Sequence, residues 1–111
     1  MSPKEFINNV VKSIDCLVAS YSKGKEGPTY LGYELDNIGL TLLQREKVLA
    51  LVKLAVGEAT HNIICGIEGA VSLGGSQQSY KLIDETGNEL TGELGELLYK
   101  KLENSAYMNQ G

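Results

Sequence analysis

The sequence contains few of the residues that build metal centres or disulfide frameworks. It has two cysteines and one histidine among 111 residues. A structural zinc site uses about four cysteine or histidine ligands, so three such residues are too few for one. Cys16 and Cys65 are far apart, and each lies in an apolar helical pattern. This pattern favours two buried free thiols in a reducing compartment over a disulfide.

Long uninterrupted apolar runs are also missing. Charged or polar residues at Lys53, Glu58, His61 and Asn62 interrupt the most apolar stretch. It therefore falls short of the ~18 consecutive apolar residues that predict a transmembrane helix. The first residues, as far as Asp15, likewise lack the apolar core of a signal peptide. We therefore expect a cytoplasmic protein that does not interact with a membrane.

Positive charge is in deficit. The chain has 10 Lys and Arg residues against 14 Asp and Glu residues, which gives a net charge of -4. Six of the acidic residues follow residue 80. Such a field repels phosphate and attracts basic surfaces, so we expect no nucleic-acid ligand.

The remaining composition is ordinary for a soluble globular protein. The chain is 42% hydrophobic and 22% charged, which predicts a single domain over residues 1–111 with a core of its own. The tail, residues 105–111, has little to bury and is expected to fray. The glycines around Ser76 match neither a P-loop nor a dinucleotide-binding motif, so no cofactor is expected.

Two segments carry helix-start signals followed by helical periodicity. Ser2 and Glu5 form the pattern of a capping box around Pro3, and apolar residues at helical spacing predict a first helix over residues 3–22. A second capping box, formed by Thr41 and Gln44, precedes a long apolar segment without proline. This segment predicts the longest helix of the chain.

The long helix, from Leu42 to Glu68, is apolar over much of its circumference. Leu51 and Leu54 lie outside its main apolar stripe, so the helix is expected to be covered on more than one side. Gly57 interrupts it, and the sequence leaves open whether the helix is continuous there. Since a chain this short has few elements to cover such a helix, we expect a homodimer with a two-fold interface.

The remaining segments resemble strands and a last helix. Thr29 to Leu35 alternates in a way that indicates a short strand, and Ser79 to Asp84 predicts one arm of a hairpin. Thr91 is expected to cap a C-terminal helix with one leucine stripe. The predicted fold class is therefore α+β, with a helix, a long central helix, a small antiparallel β-hairpin and a C-terminal helix.

One set of side chains has the spacing of a reactive site. Glu58, His61, Cys65 and Glu68 are three, four and three positions apart, so they share one side of the long helix. A Glu-x-x-His pair occurs in metal sites of helical bundles, but those sites use two such pairs and further carboxylates. A packing role for these residues is therefore the main interpretation, and a ligand-binding or metal-dependent enzyme is the alternative.

No nucleophile and base are arranged for catalysis by any motif, so we expect a small acidic protein-interaction or regulatory domain without enzymatic activity. Such a domain would bind a basic partner, for example a toxin that it neutralises. The hypothetical interface combines acidic residues near the last helix with two aromatic anchors. These residues are Glu85, Glu89, Glu93, Glu96, Tyr80 and Tyr99.

Overall fold

The computed structural model describes residues 1–104, and within this range the protein is helical. Four α-helices follow one another: α1 (Pro3–Ser22), α2 (Tyr30–Asn37), α3 (Leu42–Ile67) and α4 (Leu94–Glu103). A short 3-10 turn, Gly24–Glu26, joins α1 to α2. The predicted fraying of residues 105–111 lies outside the described residues.

Both predicted helix starts are correct, but of the two predicted capping boxes only the one at Thr41 is complete. The Ser2 hydroxyl accepts a hydrogen bond from the backbone nitrogen of Glu5 at 3.1 Å, and α1 covers the predicted residues. Thr41 and Gln44 form a complete reciprocal capping box at the start of α3. The long helix is continuous through Gly57, which is buried.

The apolar core lies between α1, the second half of α3, and α4. Its buried side chains come from all three helices, and Leu94, Leu98 and Leu102 of α4 are almost fully enclosed. Ile64 is the α3 residue in this cluster, where it packs with Ile7 and Ile14 of α1. The first half of α3 contributes no residue to the buried cluster.

The predicted strand from Thr29 to Leu35 is wrong, because this segment begins helix α2. Thr29 caps α2 by accepting a hydrogen bond from the backbone nitrogen of Gly32 at 3.0 Å. Gly32 also allows α2 to approach the end of α1 closely: an added Cβ would lie 3.0 Å from the carbonyl oxygen of Gly24 and 3.1 Å from that of Tyr21. Gly32 weakened the strand prediction from the sequence, and in the fold it permits helix packing instead.

An acidic residue at the end of α2 joins this helix to its neighbours. The Asp36 carboxylate accepts hydrogen bonds from the backbone nitrogen of Lys25 at 2.8 Å and from Nε of Arg45 at 3.3 Å. The Lys25 amide, followed by the Arg45 charge, holds the pKa of Asp36 below its usual value. Arg45 also donates to the carbonyl oxygen of Ser22 at 2.8 Å. Polar contacts therefore tie the start of α3 to α1 and α2.

The predicted β-hairpin is also wrong, and with it the α+β class, because the described residues contain no strand. Between α3 and α4 the chain makes only two isolated bridges, Leu73 with Ser76 and Ile83 with Glu89. Five glycines with positive φ interrupt residues 69–92, and such residues break an extended ladder. The Asp84 carboxylate accepts hydrogen bonds from the backbone nitrogens of Thr86 and Asn88, at 3.0 and 2.9 Å. A compact side-chain turn thus replaces part of a strand pairing.

The prediction of two buried free thiols is correct in that both thiols are free, and wrong in that neither is fully buried. Both cysteines are free, but Cys16 is exposed and Cys65 is half-buried. Helical spacing placed Cys16 next to the apolar stripe of α1, and the structure places it on the solvent side of that stripe.

Candidate functional site

Three of the four residues in the predicted stripe meet where α3 contacts the first turn of α4. The His61 Nε2 atom lies 3.1 Å from the carbonyl oxygen of Gly95 and 3.4 Å from Sγ of Cys65. Glu68, one turn further along α3, reaches the same turn of α4. We call His61, Cys65 and Glu68 the α4 cradle.

The histidine and the thiol of the cradle are not arranged as an activated nucleophile. A carbonyl oxygen only accepts hydrogen bonds, so the contact with Gly95 requires the proton on Nε2 of His61. That nitrogen therefore has no free lone pair for the Cys65 thiol, and the other ring nitrogen, Nδ1, lies 3.9 Å from Sγ, at the long end of a contact with sulfur. Burial, followed by the nearby Glu68 carboxylate, raises the pKa of Cys65. Both effects favour a neutral thiol, which is a weak nucleophile.

The carboxylate of Glu68 caps α4 from outside that helix. It accepts hydrogen bonds from the backbone nitrogens of Leu94 and Gly95, both at 2.8 Å, and from that of Gly92. A helix N-terminus leaves such amides without partners inside the helix. A negative charge there is also stabilised by the positive end of the helix dipole. The sequence assigned this cap to Thr91, which was wrong. The Thr91 hydroxyl instead accepts from the backbone nitrogen of Leu82 and donates to Glu89.

The fourth residue of the stripe, Glu58, does not join the cradle. Its side chain is exposed, and within residues 1–104 it has no hydrogen bond or ion pair. In the same range, no group of three or more His, Cys, Asp or Glu side chains is arranged to hold a metal ion. The geometry therefore gives the cradle a packing and capping role.

A glycine makes this close packing of α3 on α4 sterically feasible. A Cβ added to Gly95 would lie 2.9 Å from Sγ of Cys65 and 3.4 Å from Oε1 of Glu68. Tyr99, one turn later on α4, tilts its ring against the His61 ring with 5.9 Å between centroids. The cradle is thus filled by protein atoms of α4.

The predicted acidic interface is partly neutralised by lysines. Glu89 lies 3.9 Å from Lys81, and Glu96 lies 3.3 Å from Lys100. Glu85 and Glu93 are exposed. The two predicted anchors, Tyr80 and Tyr99, are both partly exposed, and a depression of about 190 Å³ brings Tyr80 next to Glu89, Thr91 and Glu68. The structure thus groups Tyr80 with Glu89, places Glu96 and Tyr99 on α4, and leaves Glu85 and Glu93 in the segment before α4.

Helices α2 and α3 each carry exposed apolar side chains that the predicted site residues did not include. Tyr30 and Tyr33 of α2 are 93% and 51% exposed, and Leu43 and Leu51 of α3 are 63% and 66% exposed. The sequence signal for part of this exposure was present, since Leu51 lies outside the main apolar stripe of the long helix.

Helix α3 also bears on the expectation that the chain has no membrane span. Within the described residues, α3 is the one helix with the length and apolar composition to cross a bilayer. Only 11% of its most apolar 18-residue stretch is buried. One such helix is a weak indication, because helices of soluble proteins pass the same test. It indicates no compartment.

Comparisons with protein-family models, with curated proteins and with solved structures each give no match.

Proposed function

We propose that this protein is an interaction domain that binds another protein chain through the first half of α3 and the adjoining surface of α2. The observation that carries the proposal is the exposure of α3. Residues 42–56 include eight leucine and valine side chains, yet none of them is buried. A soluble chain that leaves so much apolar surface open is typical of a protein that covers it with a partner.

The way α2 is attached supports the same function. Helix α2 is held by the close backbone approach at Gly32 and by the Asp36 network, and it buries only Gly32 and Leu35. Tyr30 is almost fully exposed, and Tyr33 lies under the Lys25 ammonium group, with 5.6 Å between Nζ and the ring centroid. Exposed aromatic side chains on a firmly attached helix are typical anchors of protein interfaces.

The α4 cradle supports an interaction role over catalysis. Among residues 1–104, His61, Cys65 and Glu68 are acid–base or nucleophilic groups that the structure brings together. His61 donates to Gly95, and the Glu68 carboxylate accepts three amides of α4. Using these groups for chemistry would withdraw them from the contacts that hold α4 in place.

A basic partner at the acidic surface is a second candidate. The exposed carboxylates of Glu85 and Glu93, together with the depression beside Tyr80, are the observations that favour it. Reversing Glu89 and Glu93 to lysine should slow association with such a partner at low salt. An unchanged association rate would remove this surface from consideration.

The main proposal is tested by comparing two single substitutions of exposed apolar residues. Leu51→Asp alters the first half of α3, whereas Ile83→Asp alters an exposed residue in the connection between α3 and α4. We expect the wild type and the Ile83→Asp variant to associate with a protein chain, either a second copy or another protein. We expect the Leu51→Asp variant to lose this association. Circular dichroism checks that both variants fold. Equal association by both variants would contradict the proposal.

A further inference from the structure

One face of α3 has a symmetric arrangement of charged and apolar residues. Lys47, Leu51, Leu54 and Glu58 are four, three and four positions apart, which places them along one face of the helix. Lys47 and Glu58 are exposed, Leu51 is 66% exposed and Leu54 is half-buried. This face continues, toward the start of α3, the side of the helix that carries His61 and Cys65 against α4. We call these four residues the outer face of α3.

The outer face is complementary to itself when it is reversed. A second α3 that runs antiparallel, with the two-fold axis between residues 52 and 53, places each Lys47 opposite Glu58 of the other copy. The same axis places Leu51 opposite Leu54 of the other copy, on both sides of the axis. Ala50 and Ala55 flank this arrangement and pair by the same symmetry, so their small side chains let the two helices approach closely.

From this symmetry we propose that the outer face of α3 binds a second copy of the chain. The two α3 helices pair antiparallel, with Leu51 and Leu54 at the centre and Lys47–Glu58 ion pairs at both ends. This inference rests on the proposed function and identifies its partner as the chain itself. An isologous contact of this kind is the commonest interface of homo-oligomers.

The size of the outer face predicts a weak dimer. Residues 42–58 of a helix span about 25 Å at 1.5 Å per residue, and one side of a helix 10–12 Å wide gives an interface of roughly 550 Å² from both copies. Specific interfaces bury about 1,000 Å² or more, and smaller ones are transient. We therefore expect association in the micromolar range or weaker, dependent on protein concentration.

The charges on the outer face favour a protein partner over a bilayer. Inserting α3 into lipid would place Lys47, Lys53 and Glu58 against or within hydrocarbon, where charged side chains are costly. It would also withdraw Ile64 from the core. A second copy instead meets each lysine of the outer face with a carboxylate.

A charge-swap experiment on the full chain tests the pairing. In sedimentation equilibrium, Lys47→Glu and Glu58→Lys should each weaken self-association about tenfold, because each puts like charges opposite one another at both ends of the interface. The double variant Lys47→Glu/Glu58→Lys restores opposite charges and should return to within about threefold of wild type. Lys101→Glu, on the exposed side of α4, is the matched control and should leave association unchanged.

The outcomes separate this inference from the proposed function. Self-association that none of the swaps alters, or that the double variant does not restore, overturns the antiparallel pairing. The wild type could instead stay monomeric and bind a different protein, with the Leu51→Asp variant failing to bind that protein. This result also overturns the antiparallel pairing, while the proposed function stands. A monomer that binds anionic lipid vesicles through Leu51 replaces the second copy with a membrane. A monomer with no partner of any kind overturns both proposals.

Discussion

The carboxylate of Glu68 lies 2.8 Å from the backbone nitrogen of Gly95, so the end of α3 supplies the cap of α4. The residue that precedes α4, Glu93, makes no side-chain capping hydrogen bond of its own. The position of α4 therefore depends on a residue 27 positions earlier in the chain. This dependence couples the last helix to the orientation of α3.

Replacing Glu68 by alanine should therefore destabilise the whole fold. The variant leaves the amides of Gly92, Leu94 and Gly95 without their acceptor, at a cost of about 2 kcal/mol in the free energy of unfolding. Glu68→Gln keeps one acceptor oxygen and should cost less. Urea unfolding measures both, with the exposed Glu58→Ala as the control. A Glu68→Ala variant as stable as that control would refute the capping role.

Gly95 and Cys65 should show energetic coupling. The Cβ of Gly95→Ala would press on Sγ of Cys65 at 2.9 Å, and overpacking of this kind costs about 1–3 kcal/mol. Cys65→Ala removes the sulfur, so the double variant should lose clearly less stability than the sum of the two single variants. A double-mutant cycle by urea unfolding measures the difference. Strict additivity would mean that the two residues do not touch.

The two thiols should differ in reactivity. Cys16 is exposed, whereas burial raises the pKa of Cys65 and its thiol is half-covered. A disulfide reagent at neutral pH should therefore modify the Cys65→Ser variant, which retains Cys16, about tenfold faster than the Cys16→Ser variant. Unfolding both in urea should equalise the rates. Faster reaction at Cys65 in the folded protein would instead support the ligand-binding or catalytic interpretation of the stripe.

Stability should fall in acid partly through Asp84. The hydrogen bond from the Asn88 amide, followed by that from the Thr86 hydroxyl, holds the pKa of Asp84 well below its ordinary value of 3.8. A carboxyl whose pKa is lowered by folding stabilises the protein above its unfolded pKa and loses this contribution as the pH falls. The difference in thermal stability between wild type and Asp84→Asn should thus be full at pH 6 and shrink below about pH 4. A difference that is constant between pH 6 and pH 3 would exclude this role.

The helices with local start signals could be predicted from the sequence, whereas the segments held by distant partners could not. The Ser2 and Thr41 caps lie within three residues of the amides they bind, so α1 and α3 were predicted at close to their observed ends. The cap of α4 comes from Glu68, which no local pattern reveals. Helix α2 was mistaken for a strand because Tyr33 and Leu35 alternate with polar residues. Its cap is local, because the Thr29 hydroxyl accepts from the backbone nitrogen of Gly32, but the alternation outweighed this signal.

The candidate sites show the same limit. Helical spacing correctly placed His61, Cys65 and Glu68 on one side of α3, since that side depends only on the helix period. The spacing did not show that α4 would fill that side, because this requires the close approach at Gly95. Leu51 and Leu54 predicted that α3 has more apolar surface than one partner helix covers. Which half of α3 stays exposed could not be predicted, because it depends on where α4 packs.

Amide hydrogen exchange at two protein concentrations tests the central claim most directly, namely that the first half of α3 is covered by a second copy. In a monomer, Gly57 is the only buried residue among residues 43–58. This part of α3 should therefore open readily, and its backbone amides should exchange quickly. We predict that these amides become slower to exchange as the concentration rises through the micromolar range, whereas those of α4 do not change. Exchange in residues 43–58 that is equally fast at every concentration would contradict the account.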